Sequence, residues 1–145
     1  MKKRVLIIGP KQSGKREIAQ YIEQSQTGIK KVANVLYTEK TMIVPDTYLE
    51  SPWMHKHIIA LQQTACCALF LVPIQCSKVS YPPNFSKVFR VPVLGIITNR
   101  GEVYTEKEQK QAVNVIDKIG LSKNWNQVDL EKESDLEYLI NTLTF

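Results

Sequence analysis

Gly9, Gly14 and Lys15, within VLIIGPKQSGKREI (residues 5–18), carry the spacing Gly-x4-Gly-Lys after a run of branched apolar residues. That spacing suits phosphate. Gly9 permits a tight turn, and Gly14 lets backbone approach an oxyanion with no side chain between them. Backbone N–H groups from about Gln12 to Arg16 would point at a phosphate, aided by the positive end of the following helix. Lys15 would reach the terminal phosphates as a point charge. The candidate binding residues are therefore Gly9, Pro10, Lys11, Gln12, Ser13, Gly14, Lys15 and Arg16. Such loops continue with Ser or Thr, whose hydroxyl holds the magnesium ion of a bound nucleotide. Here the residue is Arg16, a guanidinium that attracts phosphate oxygens and cannot ligate a cation. A nucleotide held without metal, a metal held by other groups, and an empty loop are all compatible with these residues.

The elements that must position this loop can be read from periodicity. Residues 4–9 predict a buried strand, and Ile18, Tyr21 and Ile22 predict a helix over about 14–24, ended by Thr27-Gly28. KVANVLY (31–37) and TMIV (41–44) are short strand candidates. Ser51 and Pro52 form a plausible helix start for ESPWMHKHIIALQQTA, while CALFLV and VPVLGIIT are continuous apolar runs of the kind buried on both faces of a parallel sheet. Thr105 with Glu108, and Ser134 with Glu137, have capping-box spacing, and Gly120 is a stop for the first of these two helices. VSYPPNFSKVFR (79–90) predicts a loop, with Pro82-Pro83 an ordinary connection or a partner contact. Strands and helices in alternation predict one α/β domain over 1–145, a three-layer sandwich with a mostly parallel sheet. Ligands in such sheets sit at the carboxyl ends of strands, where the Gly9–Arg16 loop falls.

Composition narrows the class. With 43% hydrophobic and 23% charged residues in 145, the chain reads as an ordinary globular domain. ACCALFLVPI (65–74) is too short to span a bilayer. Lys2, Lys3 and Arg4 lead directly into the glycine loop with no cleavage-site pattern, against a signal peptide. Three cysteines without framework or zinc spacing fit a reducing cytoplasm. The net charge of +5 is concentrated: residues 1–31 carry +6 and the rest −1. This basic third either attracts an anionic ligand or is a solvated face. Nucleic acid is not expected, because no aromatics interleave the basic residues. His55 and His57, two apart, face different directions on a helix and make a poor metal pair. Asp46 reads as a loop cap or a cation ligand. Cys66 and Cys67 read as strand packing, and Trp53 and Trp125 as packing anchors.

YLESPWMHKHIIALQQTACCALFLV and VPVLGIIT, together with the loop, resemble the small GTPase-like EutP/PduV proteins of ethanolamine and propanediol utilisation, associated with bacterial microcompartments. The resemblance covers nearly the whole chain and implies a P-loop, GTPase-like fold. Carried over residue by residue, Gly9, Gly14 and Lys15 match the phosphate loop. Aligning Pro45, Tyr48, Leu49 and Glu50 on the family's switch segment puts Ile43 at the magnesium-linked aspartate and Asp46 at the γ-phosphate-sensing glycine. A shifted register would make Asp46 the acid. Val32 falls near a switch threonine. Thr98 fits the base motif, but Asn99, Arg100 and Gly101 replace Lys-x-Asp, so the guanine-reading carboxylate is missing; VDLE (128–131) stands at the turn supporting the base. The resemblance thus implies a degenerate member with weak or absent GTPase activity. It would bind ATP or GTP with no evident magnesium ligand and act through a microcompartment shell or cargo protein. The alternative is an active ATP-using NTPase or phosphotransferase with Asp46 in a non-standard metal site.

Overall fold

In the computed structural model, residues 4–23, 34–75, 81–101 and 103–143 are described. Six strands form one sheet: β1 (Arg4–Ile8), β2 (Leu36–Tyr37), β3 (Thr41–Ile43), β4 (Ala65–Pro73), β5 (Val93–Asn99) and β6 (Trp125–Asp129), in the order β2-β3-β1-β4-β5-β6. All pairings are parallel except β2 with β3. β1 lies inside the sheet, with Ile7 opposite Ile43 on one side and Leu69 on the other.

The unbroken apolar runs find their explanation in the two faces. Val5 and Ile7 of β1, with Cys67, Leu69 and Leu71 of β4, pack beneath α1 (Lys15–Glu23) and α5 (Glu133–Thr142). Leu6 and Ile8, with Ala68, Phe70 and Val72, face α2 (Asp46–Glu50), α3 (His55–Leu61) and α4 (Glu106–Ile119). Every second residue is therefore buried under a different helix layer, so neither face tolerates polar alternation. This is the three-layer α/β sandwich the sequence predicts.

α4 begins at the expected Thr105–Glu108 capping box and ends at Gly120, whose φ of 97° is the left-handed conformation glycine takes at a helix end. The second capping box does not form. Ser134 lies inside α5, which starts at Glu133, and Asp135 accepts the Asp129 backbone N–H at 2.9 Å instead. Pro52 opens a 3-10 turn, Pro52–Met54, before α3, and Ser51 makes no side-chain cap. Of KVANVLY, Leu36–Tyr37 is strand; residues 31–33, including Val32, and the Thr27-Gly28 stop lie outside the described residues. Trp125 packs against the core, but Trp53, in the 3-10 turn, is 72% exposed and is not the packing anchor expected. The stretch 81–90, expected as a loop, holds a 3-10 turn at Phe85–Val88, and its aromatics join the core: Tyr81 stacks on Phe70 at 5.4 Å and Phe89 meets Phe70 edge-on at 5.1 Å. His55 packs at 5.5 Å from Phe85, and its Nε2 is 2.7 Å from the Leu49 carbonyl, a packing role.

Candidate functional site

The loop leaves β1 at a fork in the sheet. Beyond Ile8 the chain turns away from β4, and the Tyr81 hydroxyl shares its proton between the carbonyls of Ile8 (3.0 Å) and Leu71 (2.9 Å). Burial holds the Tyr81 phenol well above its ordinary pKa, since an ionised oxygen there would be desolvated. Gly9 follows. A β-carbon on it would overlap the Ser13 hydroxyl and stand 3.0 Å from Leu71 Cβ. Ser13 Oγ donates to the Pro10 carbonyl at 2.7 Å, closing the loop upon itself. Gln12 and Gly14 adopt left-handed φ values of 60° and 96°, which together turn the backbone into α1. Gly14 is doubly constrained, because a β-carbon would also lie 2.5 Å from Leu130 Cδ1. Thr98 Oγ1, near the end of β5, donates to the Ser13 carbonyl at 2.7 Å, so the end of this strand and the glycine loop form one unit.

Lys15 is buried. Its Nζ donates to the carbonyls of Gly9 at 2.7 Å and Pro10 at 3.1 Å and forms an ion pair with Asp46 Oδ1. Asp46 is equally buried, in the first turn of α2, where Pro45 directs the chain into the helix. The carboxylate thus reaches the lysine from 31 residues away. Neither role weighed for Asp46, loop cap or cation ligand, anticipated this pair. Ile43 is buried in β3 opposite Ile7, so the acid near the loop is Asp46.

Around this centre, Pro10 is half-buried, while Lys11, Gln12 and Arg16 are exposed and Ser13 and Gly14 are buried. A cavity of about 150 Å³ lies between the loop and the strand ends, bordered by Lys11, Gln12, Ile74, Thr98, Asn99 and Arg100. Arg100 pairs with Glu17 of α1. Of the N–H groups expected to face a phosphate, that of Ser13 donates to the Pro10 carbonyl at 3.4 Å, and Lys15 can hold a phosphate oxygen only by exchanging the Asp46 carboxylate for it. For magnesium, the Arg16 side chain offers no oxygen, and the nearby Asp46 carboxylate is paired with Lys15.

Residues 9–14 connect β1 to α1, and Thr98 is set against this connection. Spacing in the sequence gives no sign of the Lys15–Asp46 pair, the Thr98–Ser13 bond or the Tyr81 fork. Only Asp46 left a trace, as the carboxylate closest in sequence to the expected acid position.

Comparison with known proteins bears on both fold and family. The model of the PduV–EutP family, described as ethanolamine utilisation and propanediol utilisation, matches residues 1–144. The propanediol utilization protein PduV of Citrobacter freundii is 24% identical over 96 residues, 66% of this chain and 64% of that relative, so the match spans just under two thirds of its length. Among solved structures, a probable GTP-binding protein EngB superposes with a TM-score of 0.58 at 10% identity, covering 95% of this chain and 94% of that one. Translation elongation factor SelB from Methanococcus maripaludis, bound to the GTP analogue GPPNHP, gives 0.54 at 16% identity, covering 97% of this chain and 33% of that one. At such identities the likeness is one of fold: a P-loop, GTPase-like α/β domain.

Proposed function

This chain belongs to the PduV–EutP family, and from that premise we propose that it is a degenerate GTPase: a nucleotide-binding protein that holds phosphate without the usual magnesium site. The observation that carries the reading is the phosphate-loop lysine, held by two loop carbonyls and a buried carboxylate while Arg16 replaces the metal-binding hydroxyl. On nucleotide binding, the N–H groups opening α1 receive phosphate oxygens, Lys15 leaves Asp46 for a phosphate, and Arg16 adds charge where a cation otherwise sits. Phosphoryl transfer depends on positioning and charge stabilisation in which the metal is central, so turnover is weak or absent. In this reading the protein acts by contact, on a shell or cargo protein of a bacterial microcompartment in the cytoplasm; the family's description as ethanolamine and propanediol utilisation supports it. Exposed Trp53, in the turn just after α2, offers aromatic surface near the helix that carries Asp46. No described helix is long and apolar enough to cross a membrane.

The test is phosphate release from GTP and ATP with magnesium. Release at background rates is expected. A second reading, an ATP-using NTPase or phosphotransferase, draws on the position of Asp46 beside Lys15, where a carboxylate could hold metal. Magnesium-dependent turnover abolished in Asp46→Asn would favour that enzyme and defeat the first reading.

A further inference from the structure

Far from the phosphate loop, a groove of about 600 Å³ runs between α3 and the segment that leads into β5, bordered by Lys56, Ile59 and Ala60 from the helix and by Val88, Arg90 and Val91 from the segment. Ala65, the first residue of β4, also borders it and is paired with Arg4 at the start of β1, whereas the phosphate loop leaves β1 beyond Ile8. The two sites therefore lie at opposite ends of the sheet and can be filled at the same time.

Both walls follow from local structure. On α3, Ile58 turns into the core, and Lys56, Ile59 and Ala60 fall at helical spacing on an adjoining stripe that stays exposed or half-buried. In the other wall, Phe89 buries its ring against Phe70, and the extended backbone at Phe89 leaves Val88 and Arg90 exposed on either side of it. Gln62 ties the walls together. Its Oε1 accepts the Arg90 N–H at 2.5 Å and its Nε2 donates to the Val88 carbonyl at 3.5 Å. The groove is thus built before anything enters it, which lowers the cost of binding.

Its chemistry is apolar with a cationic rim. No acidic residue borders it, and among the described residues neither Lys56 nor Arg90 makes an ion pair. An occupant must therefore bring negative charge beside apolar groups. No aromatic side chain borders the groove, so nucleic-acid bases find no stacking platform. Of the bordering residues only Ala65 is buried, so a small molecule would stay largely wet, whereas small-ligand pockets enclose most of their ligand. A protein segment closes such a groove with its own bulk. We propose that this groove is the docking site for a partner-protein segment that carries acidic side chains beside apolar ones. Lys56 and Arg90 meet the carboxylates, and Ile59, Val88 and Val91 meet the apolar side chains. The inference rests on the contact role above and gives it a surface; it does not depend on the phosphate loop.

The experiment selects random short peptides, displayed on phage, against three forms of the full chain. These are the wild type, Lys56→Glu with Arg90→Glu, and Lys107→Glu with Lys110→Glu, a pair of exposed α4 lysines that do not border the groove and give the same net charge. The wild type and the α4 variant are expected to enrich the same peptides, with Asp or Glu beside Leu, Ile, Val or Phe. The groove variant loses these and enriches peptides with Lys or Arg beside the same apolar residues, a gain that misfolding cannot produce. The leading wild-type peptide, synthesised, should bind the groove variant about tenfold or more weakly, because like charges then face each other. It should bind Val88→Ser about three- to fivefold more weakly, through lost apolar contact at a half-exposed residue. GDP affinity, measured by calorimetry, should be the same in all forms. Wild-type peptides without acidic bias, or equal retention or equal loss of the acidic peptides in the two charge-reversed variants, overturn the docking site. Octanoate shifting the Ile59 and Val88 methyl resonances where no peptide is enriched also overturns it and assigns the groove to a small ligand. Any of these with GDP binding intact leaves the nucleotide reading standing. Acidic peptides held in the groove by a chain that binds no GDP would support the docking site and overturn that reading.

Discussion

Asp46→Asn tests the competition between a protein carboxylate and a nucleotide phosphate for one lysine. In the folded protein Lys15 donates to two carbonyls and to the Asp46 carboxylate, within a buried site. A hydrogen bond to a charged group contributes about 1.5–3 kcal/mol and a neutral one about 0.5–1.5 kcal/mol, so the substitution weakens the hold on Lys15 by about 1–1.5 kcal/mol. A phosphate must displace that hold, so magnesium-free affinity for GDP should rise roughly tenfold. The same change leaves a buried ammonium without its counter-charge. Removing one partner of a buried pair costs about 3–5 kcal/mol, and the isosteric amide, which keeps a hydrogen bond, should reduce this to about 1–3 kcal/mol. For a domain of this size that is a fall in Tm of about 3–10 °C. Calorimetry with chelator present measures the first effect and thermal unfolding the second. Looser GDP binding in Asp46→Asn without metal would refute the competition, since removing a competitor cannot weaken its rival.

Other consequences can be checked directly. Gly14→Ala should lose about 1–3 kcal/mol in denaturant unfolding, through its left-handed φ and the contact with Leu130, and should lose diphosphate binding with it. Tyr81→Phe should cost about 1–3 kcal/mol, because two buried carbonyls at the loop fork lose their donor. The folded phenol of Tyr81 titrates above its ordinary value of 10.0, so its share of stability is complete below about pH 10 and is lost as pH rises further. Tyr81→Phe should therefore show a shallower alkaline decline in stability than the wild type. Burial pushes the Cys67 thiol from 9.0 up to about 12, with its neighbour Cys66 adding to the shift. Alkylation at pH 8 followed by peptide mapping should label half-buried Cys66 well before Cys67.

Which features could be read from the sequence follows from how local their causes are. β1, β4 and β5 announce themselves because strands covered on both faces need unbroken apolar runs, and VLII, CALFLV and GIIT supply them. α4 carries its start and stop in the side chains of Thr105 and Glu108 and in Gly120. Ser134 and Glu137 have the same spacing and fail. The turn held by Asp129 and Asp135 starts the helix one residue before Ser134, so Ser134 never occupies the capping position. α2 is a single turn, too short for any period to be visible. The site divides in the same way. Gly9, Gly14 and Lys15 form a short local pattern that is visible in the sequence. The Asp46 carboxylate on Lys15 and the Thr98 hydroxyl on the Ser13 carbonyl are meetings of residues far apart in the chain, created by sheet order. No composition or spacing records them.

The central claim is a phosphate cradle that works without its usual metal. The most direct test is the affinity of the purified full chain for GDP, measured by calorimetry in magnesium and again in chelator. The account predicts binding in both, with similar affinity, because Lys15, Arg16 and the N–H groups opening α1 carry the attraction. Binding that appears only with magnesium would contradict it and return Asp46 to the role of a metal ligand.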